Sequence, residues 1–262
     1  MLRTLRLAGV GGILAYRALF NWTSPSLFVG SLLAAPVFQL LFFVYLGREI
    51  GVADDNFYVL GNVLLAATGA CVTGGTMAIA NERRYGTLGP LLLSPRSRVV
   101  MWGGRALPYI GNALLVMTFT LLCAAATVGL RMPMSGMPGL LLALTAASLS
   151  GTAFGMVIGS VGLRAKNTMV MANIAYTMLI LLTGTIVSRD TLPAWMSAIG
   201  SVLPLTHATQ AVRACSSGAD LAVVLGHVGE ELAVCLLYTL MAAALLKYFE
   251  WMSRKGASLD AI

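Results

Sequence analysis

Charged residues are scarce in this chain of 262 residues: they make up 10% of the sequence, whereas hydrophobic residues make up 58%. A soluble domain carries about 25% charged residues. So little charge cannot cover a water-facing surface, and the composition therefore predicts that lipid is the solvent. The net charge of +7 comes from basic residues at the ends of apolar stretches. This pattern argues against nucleic-acid binding and favours contact with anionic lipid head groups.

The motifs of an enzyme or a metal centre are also missing. The two histidines and four cysteines occur without HExxH, GxSxG or CxxC spacing, so we predict no hydrolase, zinc site or disulfide framework. No GxxxxGK[ST] loop is present to hold the phosphates of ATP. We interpret the paired carboxylates Glu230 and Glu231 as the solvated outer end of a membrane span. The sequence predicts no catalytic residue, no metal and no cofactor bound by this chain.

Ionisable residues are predicted to be absent from the middle of every membrane span. Proton-driven carriers usually place such groups at depth, so their absence argues against a proton-coupled antiporter. Sodium coupling through carbonyl and hydroxyl groups stays open. If the chain moves a substrate uphill with ATP, a separate subunit must supply the energy, because the chain lacks a phosphate-binding loop.

Six stretches are long and apolar enough to cross a membrane, since a spanning helix needs about 20 apolar residues. We therefore predict an all-α integral membrane protein that forms one transmembrane domain over residues 1–262. Residues 1–24 carry arginines between helically spaced apolar side chains, which predicts an amphipathic helix in the membrane interface. The predicted spans are residues 25–46, 57–80, 105–130, 137–162, 168–187 and 228–249.

The segment between the fifth and sixth predicted spans, residues 188–227, is long and partly apolar. An amphipathic run between Pro193 and Pro204 is too short to cross a membrane. It predicts a short re-entrant or interfacial helix on the outer face.

Three glycines recur at intervals of four residues in the fourth predicted span: Gly151, Gly155 and Gly159. Because glycine has no side chain, another backbone can approach this helix face closely. We favour packing within the subunit over a contact between two subunits.

The basic residues predict the orientation in a bacterial inner membrane. If the N-terminus is cytoplasmic, only four of the 17 Lys and Arg residues fall on the outer side. The opposite topology would invert this bias and violate the positive-inside rule. Six spans then return the C-terminus to the cytoplasm. The four outer residues are Arg48, Arg131, Arg189 and Arg213.

The most informative segment is the predicted cytoplasmic loop after the second span. It reads Glu-Arg-Arg-Tyr-Gly-Thr-Leu over residues 82–88 and Leu-Leu-Leu-Ser-Pro-Arg-Ser-Arg over residues 91–98. This is a short amphipathic element outside the bilayer, and its leucines need a partner, either lipid or protein.

This loop resembles the coupling-helix region of ABC-2 type transporter permeases, whose usual form is ERxxGTLExLLxTPxSR, with Gly89 where that pattern often has Glu. Tyr58-Val-Leu-Gly61 is similar to the start of the family's second span. Residues 192–195, 203–206 and 211–213 are similar to the family's outer segment before the last span. The resemblance covers nearly the whole chain in order.

The resemblance implies the permease subunit of an ATP-driven exporter of drugs, antibiotics, lipid-linked sugars or polysaccharides. Two permeases pair, as a homodimer or a heterodimer, and two copies of an ATP-binding subunit dock beneath them and handle ATP and Mg. The chain itself is then not an enzyme. The alternatives are an ion-coupled carrier that needs no ATPase, a scaffold or immunity protein without transport, and, more distantly, a membrane enzyme.

The resemblance also implies roles for individual residues. Charged residues at the start of the loop contact the ATPase or lock the loop, Gly86 permits a sharp turn, and the leucines pack on the ATPase. The predicted coupling set is Glu82, Arg83, Arg84, Gly86, Thr87, Leu88, Leu91 and Leu92. The second and fifth spans line the path in the family, so Thr68, Asn173, Met178 and Thr183 are path candidates, with ordinary helix packing as the alternative for each.

Overall fold

The computed structural model describes Gly12 and residues 25–51, 53–84, 86, 98–130, 132–163 and 167–255. The interface helix predicted over residues 1–24 lies, apart from Gly12, outside these residues. Every regular element in the described part of the chain is helical. The α-helices are α1 Pro25–Ile50, α2 Asp55–Arg84, α3 Arg98–Thr127, α4 Met137–Gly162, α5 Thr168–Leu182, α6 Ala194–Val202, α7 Thr206–Ser216 and α8 Leu221–Lys255, with 3₁₀ turns at Met134–Gly136 and Arg189–Thr191.

Five of these helices, α1 to α4 and α8, are long and apolar enough to cross a membrane. The fifth predicted span is different. Helix α5 has 15 residues and is about 22 Å long, which is short of the roughly 30 Å hydrocarbon core. It ends before Gly184, whose φ of +82° is a left-handed conformation that favours glycine. The six-span prediction is therefore confirmed for five helices, and the fifth span is shorter than predicted.

Large apolar side chains cover the outward faces of the peripheral helices. Phe38 and Phe42 on α1, Leu122 on α3, and Leu236 and Leu240 on α8 are all exposed. Soluble monomers rarely expose contiguous apolar surface of this extent. The same surface is expected of helices that face lipid chains.

Helices α2 and α4 form the buried centre of the bundle, and glycine brings them together. A Cβ atom built on Gly155 would lie 2.5 Å from the carbonyl oxygen of Val72, and one on Gly159 would lie 2.7 Å from that of Thr76. The Thr76 hydroxyl donates a hydrogen bond of 3.0 Å to the carbonyl of Gly155. The glycine pattern of α4 therefore packs within the subunit, as the sequence predicted.

Gly155→Ala is expected to lower the melting temperature of the detergent-solubilised protein, because the added methyl group forces α2 and α4 apart. Overpacking of this kind costs about 1–3 kcal/mol. Gly111→Ala on α3 is the matched control, since a Cβ atom there meets nothing within 4 Å. Equal melting temperatures for the two variants, measured by fluorescence-detected size exclusion, would contradict the proposed tight packing.

The helices alternate in direction, so one end of the bundle gathers the ends of α1, α3 and α5 and the starts of α2, α4 and α8. We call this the cap end, because α6 and α7 lie there. An exposed ion pair joins the end of α1 to the start of α2: the Arg48 guanidinium lies 2.6 Å from Asp55 Oδ2. The opposite end carries the end of α2 and the start of α3, the helices that precede and follow the predicted coupling loop in the sequence.

Candidate functional site

The cap segment, residues 183–220, folds back into the bundle. Helices α6 and α7 are joined by a turn at residues 203–205. The Tyr238 hydroxyl donates a hydrogen bond of 3.0 Å to the carbonyl of Val202, and Tyr238 lies 17 residues into α8, about 25 Å along its axis. The tip of the α6–α7 hairpin therefore lies beside the middle of Leu221–Phe249, a stretch long enough to cross a membrane.

The start of α7 lacks a capping side chain of its own. Its N-cap residue is Leu205, which has no side-chain acceptor and adopts a left-handed φ of +75°. The first N–H groups of a helix have no partner within the helix. Because Leu205 is only 1% exposed, water does not supply the missing acceptor, and another part of the chain must do so.

Glu231 of α8 supplies that acceptor. Its Oε1 atom accepts a hydrogen bond of 2.7 Å from the Leu205 N–H, and its Oε2 atom accepts one of 3.0 Å from the Ala208 N–H. The Ser150 hydroxyl of α4 also donates to Oε1. A carboxyl group at a helix N-terminus is further favoured by the helix dipole. Glu231 thus joins α4, α7 and α8 at one point.

The prediction of a solvated glutamate pair is wrong for Glu231 and fits only Glu230. The Glu230 side chain is 54% exposed, whereas Glu231 is 0% exposed. Successive residues on a helix are about 100° apart around its axis, so one of two neighbours can face outward while the other faces the core. Glu231 lies ten residues inside α8 and is buried in the bundle; the prediction that the middle of each span lacks ionisable residues stays a prediction.

Arg213 of α7 ties the cap segment to α2 and α5. Its guanidinium lies 3.8 Å from the centre of the Phe57 ring and donates a hydrogen bond of 2.6 Å to the carbonyl of Gly184. Burial lowers the pKa of Arg213 to about 10, against the opposing effect of the Asp190 carboxylate. The side chain therefore keeps its charge at neutral pH and holds the turn after α5 against the start of α2.

The glycine at the start of the second predicted span lies in the same contact region. A Cβ atom built on Gly61 would lie 1.8 Å from the carbonyl oxygen of Thr185, so only glycine fits the observed distance. One turn earlier, the Tyr58 ring occupies the space that a side chain at Gly47 would need. The start of α2 therefore contacts two distant parts of the chain at the cap end: the turn after α5 through Gly61 and Thr185, and α7 through Phe57 and Arg213.

The predicted coupling residues lie at the opposite end. Glu82, Arg83 and Arg84 form the last turn of α2. Gly86 is exposed and has a left-handed φ of +69°, a conformation suited to a sharp turn. The coupling role of these residues stays a prediction. The other members of the set, Thr87, Leu88, Leu91 and Leu92, lie outside the described residues.

The four path candidates do not share one surface. Thr68 and Thr183 are buried, and their hydroxyls donate to backbone carbonyls four residues earlier, at 2.9 Å and 2.6 Å. This is the ordinary packing that was the alternative for each of them. Asn173 and Met178 instead lie on the exposed side of α5, where they are open to a partner, a substrate or lipid.

Sequence comparison identifies related proteins. The family model of the ABC-2 type transporter matches residues 12–215, which include α1 to α6, most of α7 and the predicted coupling loop. Two relatives, the probable multidrug ABC transporter permeases YbhR of Escherichia coli strain K12 and of Escherichia coli O157:H7, are each 27% identical over 160 residues. The matched region is 60% of this chain and 42% of each relative, so it spans less than half of their length. The chain is therefore a multi-pass membrane protein that belongs to the ABC-2 type transporter permease family.

Proposed function

We propose that this chain is the membrane-spanning subunit of an ATP-driven exporter in a bacterial inner membrane. Two permeases, identical or different, pair, and two copies of a separate ATP-binding subunit bind ATP and Mg and drive them. The family match over residues 12–215 is the observation that carries this proposal. The relatives are named as probable multidrug permeases, which favours a drug or antibiotic over a lipid-linked sugar or polysaccharide as cargo.

The course of α2 supports ATP-driven coupling. This helix runs without proline from Asp55 at the cap end to Arg84, where the predicted coupling loop begins. An ATPase that moves this loop would act directly on a helix that also contacts the cap segment through Phe57 and Gly61. In the predicted orientation, the loop and both chain termini are cytoplasmic and the cap segment is on the outer side.

The main alternative is an ion-coupled carrier, and buried Glu231 is the feature that favours it. A carboxyl group at depth is what proton coupling would require. However, both oxygens of Glu231 accept hydrogen bonds from the fold, and the side chain has no exposed surface. This arrangement fixes α7 in place and does not offer a proton to water, so we place ATP-driven export first.

Transport in liposomes distinguishes the two functions. The chain is to be purified alone and together with the Walker-type ATPase that we expect a neighbouring gene to encode, and both preparations are to be reconstituted. We expect co-purification, ATP hydrolysis that rises with the transported drug, and export only with ATP. Transport by the isolated chain under a proton or sodium gradient would overturn the proposal in favour of the carrier, and absence of any bound ATPase would also overturn it.

Glu82→Ala and Arg83→Ala are each expected to lower ATP-dependent export by about tenfold or more, the equivalent of one hydrogen bond to a charged group. Membrane insertion should not change, because both residues lie in the last turn of a helix whose membrane-spanning part is intact. Glu49→Ala is the control, since Glu49 is an exposed charge at the cap end. Unchanged export in both coupling variants would remove the proposed coupling role.

A further inference from the structure

The two histidines of the chain meet at one carboxylate. His207 lies in the first turn of α7, and His227 and Glu230 lie one turn apart on α8. The Nδ1 atom of each histidine is 3.0 Å from Oε2 of Glu230. The sequence contains no other histidine, and these two are 20 positions apart. The packing of α7 on α8 thus places both imidazole rings of the protein beside the Glu230 carboxylate.

The hydrogen bond from His207 to Ser201 determines which ring nitrogen is free. The Nε2 atom of His207 is 3.0 Å from the carbonyl oxygen of Ser201. Because a carbonyl only accepts hydrogen bonds, Nε2 carries the proton, and a neutral ring then has a bare lone pair on Nδ1. That Nδ1 is buried and, in this neutral form, donates no hydrogen bond, yet it lies 3.0 Å from the Glu230 carboxylate. Two acceptors at this distance repel each other unless a proton or a metal ion lies between them.

We propose that His207, His227 and Glu230 bind a divalent transition-metal ion such as Zn²⁺. The three ligand atoms lie within 4.8 Å of one another, and tetrahedral zinc with bonds of about 2.0–2.1 Å requires ligand separations of roughly 3.4 Å. Imidazole nitrogen and carboxylate oxygen are both zinc ligands. The bond from Nε2 to the Ser201 carbonyl is the outer contact that typically orients a metal-bound histidine.

The partly open surroundings suit an ion that enters from outside the bundle. The side chains of His207 and His227 are 17% and 31% exposed, and Glu230 is more exposed still. Three protein ligands leave a fourth position for water. The ion would cross-link α7 to α8 next to Glu231, and would therefore oppose any movement of the cap segment during transport.

Metal titration of the full-length chain tests the site. The protein is to be purified in detergent without a polyhistidine tag, stripped with a chelator, and titrated with Zn²⁺ by calorimetry and with Co²⁺ by visible absorption. We expect one ion per chain, a higher melting temperature with Zn²⁺, and a tetrahedral Co²⁺ spectrum without the intense near-ultraviolet band of thiolate ligands. His207→Ala, His227→Ala and Glu230→Gln should each weaken Zn²⁺ binding by more than about 100-fold, beyond the 10- to 100-fold typical of outer contacts.

Three outcomes would overturn the proposal. They are the absence of saturable Zn²⁺ binding, equal binding by the His207→Ala and His227→Ala double variant, and a thiolate band with Co²⁺. A melting temperature that Zn²⁺ leaves unchanged would instead assign the cluster to direct hydrogen bonds between the histidines and Glu230. Glu49→Gln controls for the loss of an exposed carboxylate at the same end and should leave binding unchanged.

Discussion

Glu231→Ala is expected to destabilise the protein by roughly 2–6 kcal/mol, because it leaves the N–H groups of Leu205 and Ala208 buried without an acceptor, at about 1–3 kcal/mol each. Leu205, the N-cap residue of α7, cannot replace the lost acceptor, since its side chain has no hydrogen-bonding atom. We expect a large fall in the melting temperature of the solubilised chain and loss of export, since the cap segment no longer holds its position against α8.

A graded series makes this prediction specific. Glu231→Gln keeps one acceptor oxygen but directs an amide N–H group at one of the two backbone donors, so its effect should be intermediate. Ser150→Ala removes only the hydroxyl contact and should cost about 1 kcal/mol. Glu49→Ala removes an exposed carboxylate and should have almost no effect. If the Glu231→Ala variant has the same melting temperature as the wild type, α7 is capped in another way.

Arg213→Leu is expected to have the next largest effect on stability. The substitution removes a charge-assisted hydrogen bond to the Gly184 carbonyl, worth about 1.5–3 kcal/mol, and a partly desolvated cation–π contact with Phe57, worth about 2 kcal/mol. Release of the turn after α5 should lower both the melting temperature and transport. Thermal unfolding and export assays of the same preparation measure both effects.

Two variants serve as controls for Arg213→Leu: Arg48→Leu and Arg213→Lys. Arg48 also stacks on a tyrosine and pairs with Asp55 at the cap end, but it is exposed, so Arg48→Leu should change stability little. Arg213→Lys keeps the charge but not the planar guanidinium, which both stacks and donates. It should therefore rescue only part of the loss. Equal losses for Arg48→Leu and Arg213→Leu would contradict the importance of burial.

The sequence predicts well those features that depend on local pattern. Apolar length identifies α1 to α4, because a helix in lipid must satisfy its own backbone and remain apolar over about 20 residues. The spacing of Gly151, Gly155 and Gly159 predicts their close contact with another helix. Pro193 and Pro204 bracket α6 almost to the residue, since proline restricts the residue before it.

The sequence does not predict features that depend on partners distant in the chain. Helix α7 has a largely polar sequence, Thr-His-Ala-Thr-Gln-Ala-Val-Arg, and does not appear in a search for apolar stretches. Its first turn is capped by Glu231, 26 residues after Leu205. The predicted start of the last span at residue 228, instead of Leu221, placed Glu231 at a solvated end. What the sequence does show is that Leu205, the residue before α7, has no side chain that could cap the first turn.

The resemblance to ABC-2 permeases predicts the coupling loop and draws attention to residues 58–61 and 203–213. It does not predict the contacts that the start of α2 makes with distant residues, because no local pattern connects them. Gly61 admits the backbone of Thr185, and Arg213 stacks on Phe57. The four path candidates rest on their residue types and on their positions in the second and fifth predicted spans. Which of them are buried depends on the packing of the helices, which a local pattern does not predict.

The unbroken length of α2 has a mechanical consequence. Its 30 residues make a rod of about 45 Å, held by the backbone contacts with α4 at Val72 and Thr76, about two thirds of the way from Asp55 to Arg84. A rod held at an interior point acts as a lever. A tilt of about 5° around that point would shift the Asp55 end by roughly 2.5 Å and the Arg84 end by roughly 1.3 Å in opposite directions. A push at Arg84 would thus arrive at Gly61 as a sideways displacement, with no loop in between to absorb it.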